Sequence, residues 1–153
     1  MGRQKIYIAF CFFIMFVVSC KKNNDGPAGA GLTGRWTMTR VHDKTTGADL
    51  VPPAGSSKKV YLDLMDGRFS GKTMRNTITD GTYTMPDNRS ISFGTYQSTL
   101  VTEDEWGGAF ATMLLSCMLQ SFYPCQPAEI TWQSNRKIEI NTRMRYTVTL
   151  EKM

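Results

Sequence analysis

From Leu32 onward the chain alternates apolar and polar positions in short runs broken by turn residues. In "GRWTMTRV", Trp36 and Met38 fall on one face of a strand. "KVYLDLM" sets Val60, Leu62 and Leu64 against Tyr61 and Asp63, then reaches Asp66-Gly67, a hairpin signal. "RFSGK" and "TMRNTIT" alternate more weakly, and Asp80-Gly81 punctuates before "TYTM". Pro86-Asp87-Asn88 marks another turn, ahead of "SISFGTYQSTLV". In the C-terminal third, Ile130 and Trp132, then Ile138 and Ile140, then Tyr146, Val148 and Leu150 each form one side of a run, with a turn at Ser134-Asn135. Such alternation predicts antiparallel strands buried on one face. "DKTTGADLVPPAGSSK" reads as a turn-rich connection.

One segment breaks the two-residue period. In "TEDEWGGAFATMLLSCMLQSFYPC", Trp106, Phe110, Met113, Leu114 and Cys117 recur at helical spacing. Thr102 and Glu105 have capping-box spacing, and Glu103 and Asp104 suit the positive end of a helix dipole. Gly107 and Gly108 cost about 1 kcal/mol each relative to Ala, so this first turn is soft unless something packs closely on it. Pro124 bars continuation. The pattern predicts an α+β, mainly β domain with about eight or nine strands and one helix inserted late. Short strands hide their edges by closing, so a small antiparallel β-barrel, plugged or flanked by the helix, is the economical arrangement.

The N-terminus obeys neither period. Arg3 and Lys5 precede an uncharged apolar run, Ile6 to Val18, that is shorter than the roughly 20 residues a spanning helix needs. Val17, Val18 and Ser19 lead into Cys20, which resembles the bacterial lipobox: an aliphatic and a small residue before an obligatory cysteine. The resemblance implies that the Cys20 thiol is alkylated with diacylglycerol and becomes the new N-terminus after cleavage. Two or three acyl chains, at about 0.8 kcal/mol per buried CH₂, anchor stably where one is marginal. The expected organisation is a lipoprotein signal peptide over 1–19, lipidated Cys20 with a flexible tether over 20–30, and a barrel domain over 31–153. "KKNNDGPAGA" has the Asn, Gly and Pro content of such a tether. Lys21 rather than Asp follows Cys20, so inner-membrane retention by that rule is not indicated, and the outer membrane is expected.

Composition narrows this reading little. A chain of 153 residues, 41% hydrophobic and 20% charged, suits one globular domain. The formal charge of +5 falls to +3 once Arg3 and Lys5 of the leader are set aside. The remaining cations are interspersed with Asp and Glu, without the basic stripe that nucleic acid requires.

Three stretches, "GRFSGKTMRNTITDGTYTM", "ISFGTYQSTLV" and "EDEWGGAFATML", resemble the META domain of bacterial envelope lipoproteins and heat-shock proteins. The family's pattern falls on Gly71, Asn76, Gly81 and Tyr83, then Ile91, Phe93, Gly94 and Thr99, then Glu105, Phe110 and Leu114. Two cysteines frequent in that family are missing, since Met74 and Arg75 precede Asn76 and no Cys lies near Thr99. "GRW" (Gly34, Arg35, Trp36) also resembles the first strand of lipocalin-like barrels. Both resemblances imply a small barrel with a helix, and the lipocalin one alone implies an open ligand cup.

Chemistry is sparse. Cys117 and Cys125 form a disulfide or remain buried thiols; in an exported protein the pair would close a loop of about 9 residues, worth roughly 2.5 kcal/mol. With His42 the single histidine and no CxxC, no metal site is expected. His42 and Asp43 are adjacent on a strand and so point to opposite faces, which argues against a base and its orienter. Ser56 and Lys59 match Ser-x-x-Lys, but after Pro52-Pro53-Ala54-Gly55, where no helix brings them together. Glu103, Asp104 and Glu105 are accounted for by the helix start. Trp36, Trp106, Phe110 and Trp132, with Met113 and Met118, either fill the core or line an apolar pocket.

The expected protein is a lipid-anchored, monomeric envelope component without cofactor, metal or catalytic residues. It would act by contact with an envelope protein. The alternative is a lipocalin-like module for a small apolar ligand.

Overall fold

The computed structural model describes residues 31–57, 59–119 and 125–153. Cys20 and the expected leader and tether lie outside these residues. Ten strands and one helix are present among the described residues: β1 (Gly34–Asp43), β2 (Asp49–Leu50), β3 (Tyr61–Met65), β4 (Arg68–Lys72), β5 (Thr77–Asp87), β6 (Ser90–Phe93), β7 (Gln97–Ser98), α1 (Glu105–Leu114), β8 (Ala128–Ser134), β9 (Lys137–Asn141) and β10 (Tyr146–Lys152). Eight of them run β10-β9-β8-β6-β5-β4-β3-β1, and β1 returns to β10, closing an antiparallel barrel. The two-residue strands β2 and β7 lie on β1 and β5 outside that circuit. The expected mainly β barrel with one late helix is therefore what the chain forms.

The alternation read from the sequence points inward as expected. Trp36, Met38, Leu62, Leu64, Ile130, Ile138, Ile140, Val148 and Leu150 are buried in one core. Phe69 and Phe93 meet edge to face there, ring centres 5.5 Å apart. The β3–β4 hairpin turns at Asp66-Gly67, with Gly67 at φ 71°, as a two-residue turn of this kind requires.

Three boundaries differ from the sequence reading. Asp80-Gly81 does not end a strand: β5 runs through it, with Asp80 at φ 54° and the pairing with β4 shifting register there. A left-handed residue beside a glycine serves a bulge as well as a turn. Gly81 is needed because a side chain would meet the Phe69 ring, with a Cβ only 2.5 Å from its Cζ. "SISFGTYQSTLV" divides into β6 and β7 rather than forming one strand. The supposed connection "GADL" contributes β2, held by Val41–Leu50 and His42–Asp49 pairing.

Helix α1 packs against β1 and β10 and buries Trp106, Phe110, Met113 and Leu114, the predicted stripe. Its cap is Asp104, whose carboxylate accepts from Gly107 N at 2.7 Å, so the Thr102/Glu105 capping box does not form. Cys117 lies past the helix end.

Candidate functional site

The cap moved because the preceding residue, Glu103, is committed elsewhere. Its Oε1 accepts from the Asn76 side-chain amide and meets the Thr73 hydroxyl. Asn76 is the hub of this corner. Its Nδ2 also donates to Val101 O at 2.7 Å, while its Oδ1 accepts from Thr99 Oγ1 at 2.9 Å and Val101 N at 2.8 Å. A buried amide with both ends satisfied pins one backbone course, because each lost partner would leave a desolvated polar atom. The turn between β4 and β5 is thereby tied to 99–103 and to the helix start.

Glu103 Oε2 is buried without a hydrogen-bond partner. It lies over Gly107, where a methyl group would collide with the carboxylate. The soft first turn suspected from sequence is thus the surface on which Glu103 rests.

Held this way, the Leu100 and Val101 side chains stay outside the core. Leu100 is 98% exposed and Val101 52%. Across from them, Ala111 and, beyond the end of α1, Leu115 and Met118 form a second apolar row at i, i+4 and i+7. Between the two rows is a groove of about 670 Å³, floored also by Tyr96. None of its lining residues is charged. Burial raises the Tyr96 phenol above its ordinary pKa, consistent with an apolar floor. The helical spacing of the second row was legible in the sequence but was overshadowed by the stronger core stripe beside it.

The other predicted candidates are dispersed. Trp36 and Phe110 are fully buried and Trp106 nearly so, within the core. Trp36 donates through Nε1 to Leu32 O at 2.6 Å. Trp132 packs edge-on to Trp36 at 6.2 Å and donates to Asn88 O at 3.0 Å. The four aromatics thus serve packing and none lines the groove; Trp106 alone borders a separate shallow cleft with Leu50, Val51 and Pro53. Of the two methionines, Met113 is buried and Met118 reaches the groove. Cys117 and Cys125 are placed as a disulfide, with Cα atoms 5.3 Å apart, within the range such bonds span.

His42 and Asp43 do face opposite ways. Asp43 is buried and accepts from Arg145 Nε at 3.0 Å, Arg145 Nη2 at 2.6 Å and Thr45 N at 2.9 Å. The guanidinium holds this carboxyl well below the usual carboxylate range. His42 instead meets Asp49 on β2, Nδ1 to Oδ1 2.9 Å, and Asp49 also accepts from Arg40 at 2.8 Å. Ser56 and Lys59 lie in the irregular stretch between β2 and β3, outside any helix.

No family model and no curated protein matches the chain. Among solved structures, it is similar to an NMR structure of a protein from Burkholderia xenovorans, with 19% identity and a TM-score of 0.57. The match covers 84% of this chain and 88% of that one. At that identity the likeness is one of fold. No helix among the described residues is long and apolar enough to cross a membrane.

Proposed function

We propose that this chain is a non-catalytic, lipid-anchored envelope protein of META-like type, acting by contact in cell-envelope maintenance. The observation that carries this reading is the corner around Asn76. Asn76 and Thr99, two residues of the META-like pattern, bond to each other there and set the exposed 99–101 course. Other pattern residues also meet local demands of the fold: besides Gly81, a Cβ at Gly71 would lie 2.5 Å from Tyr61 O, and one at Gly94 2.5 Å from Thr82 Oγ1. The same corner presents an uncharged apolar surface, which suits association. The lipocalin-like alternative has less support, because the aromatics expected to line its cup pack in the core instead.

The anchor is tested by Cys20→Ser. The wild-type chain, expressed in a bacterial host, should incorporate labelled palmitate and sediment with membranes. The variant should lose the label and appear in the soluble fraction; a labelled, membrane-bound variant would refute the anchor.

A further inference from the structure

We propose that the groove beside β7 is a docking site for an extended, uncharged, apolar peptide segment of a partner protein, which adds to β7 as a further strand. The proposal rests on the envelope reading for the setting in which a partner is met, but its chemistry is local.

Among the described residues β7 pairs with β5 alone, through Ile78–Ser98 and Thr79–Gln97. Thr99 N donates to Thr77 O at 3.2 Å and Thr77 N donates back to Thr99 Oγ1 at 3.1 Å, so the Thr99 N–H faces β5. Alternation along an antiparallel pair then turns the backbone groups of Ser98 to the outer edge. An edge of this kind is a template for another strand unless charge, proline or a cover protects it. Here neither protecting residue type is present: Gln97, Ser98, Thr99, Leu100 and Val101 are uncharged and contain no proline. Barrel closure hides the edges of the eight circuit strands and leaves open those of β2 and β7, of which β7 alone borders the uncharged groove.

The groove beside this edge supplies what a bare edge lacks, a place for side chains. In strand addition, main-chain hydrogen bonds give affinity, and pockets for alternate side chains give selectivity. Leu100, Val101, Leu115 and Met118 offer apolar contact, and Met adapts to varied partners. The chemistry of the wall selects the occupant. With no charge lining the groove, in a chain whose residues are 20% charged, an ionic segment would lose hydration without gaining a partner. For the same reason the charged and polar "KKNNDGPAGA" of this chain is a poor occupant.

The open backbone edge favours a peptide over the anchoring bilayer, because acyl chains offer it no hydrogen bonds. The chain enters the barrel beside the β3–β4 hairpin: Gly34 pairs with Leu64, and Gly31 O accepts from Lys152 Nζ at 3.3 Å. The groove abuts Asn76, past the opposite end of β4. The groove therefore lies at the other end of β4 from the point where the chain enters the barrel.

The test uses the full chain in phosphatidylcholine nanodiscs and a neutral, fluorophore-labelled peptide of alternating Val and Thr, about six residues long, one strand's length. Fluorescence anisotropy should show saturable binding, with new hydrogen-exchange protection at the outward-facing amides of Ser98 and Leu100. Methylating alternate backbone nitrogens of the peptide, or replacing its Val by Glu, should weaken binding roughly tenfold or more. Leu100→Asp and Met118→Asp should do the same, and because both sites are exposed the thermal transition should stay in place. The proposal fails if the N-methylated peptide binds as well as the plain one, or if both variants bind normally. It also fails if plain peptide does not saturate, or if sedimentation shows the groove filled by a second copy of the chain. A chain that never enters the discs refutes the anchor, and its titration then proceeds in buffer, so the two failures are told apart.

Discussion

The barrel wall meets two boundaries, and they are treated in opposite ways. Where β1 meets β10, seven residue pairs run from Trp36–Lys152 to Asp43–Tyr146. Asp43 and Arg145 clasp its far end, and Lys44 N adds a bond to Arg145 O at 2.8 Å. Where β7 meets β5 there are two pairs, after which Leu100 projects into solvent. At the seam Trp36, Met38, Val41, Val148 and Leu150 point into the core, so closing it buries a continuous apolar face. The β7 corner is apolar on faces that the core does not need. It is held open by a polar knot that would lose hydrogen bonds if the loop turned inward.

The widest test of this contrast compares a seam residue with a corner residue. Trp36→Ala should cost about 3–5 kcal/mol in chemical denaturation, since it removes a fully buried ring. Leu100→Ala should move stability by no more than about 0.5 kcal/mol. Equal losses at the two positions would mean that the corner belongs to the core after all.

A smaller effect sharpens the account of the knot. Gly107→Ala should destabilise by about 1–3 kcal/mol, because the new methyl meets the Glu103 carboxylate. With Glu103→Ala as background, the same change should cost markedly less, the remaining contact being with Met74 N at 3.3 Å. Additive losses in this double-mutant cycle would show that Glu103 does not rest on Gly107.

The finest test is a slope. Asp43 has its folded-state pKa lowered by Arg145, so the pair's contribution is complete above the unfolded carboxylate value, about 3.9. It is lost as pH falls below that toward the much lower folded value. Denaturation midpoints measured from about pH 5 down to about pH 2 should fall less steeply for Asp43→Asn than for the wild type. Parallel profiles would remove Asp43 from the acid response of the seam.

Much of the barrel was legible because burial on one face of a strand imposes a two-residue period, and Trp36, Leu62, Ile138 and Val148 display it. The bulge at Asp80-Gly81 was not, because a left-handed residue beside glycine signals a turn and a bulge alike. The helix cap was decided between Thr102 and Asp104 by a distant residue. Glu103 is drawn to Thr73, thirty positions earlier in the chain, and no local spacing reports that. The aromatic residues were legible as apolar, while their role was not, since core and pocket use the same side chains.

By itself, then, the sequence determined the barrel class, the late helix and the inward set of side chains, because these follow from periods that each segment carries alone. Tertiary structure decided which edge stays open and which apolar residues remain outside. Those outcomes depend on where Asn76, Glu103 and Gly107 meet, and Asn76 and Glu103 stand 27 positions apart, a separation that no local period reports.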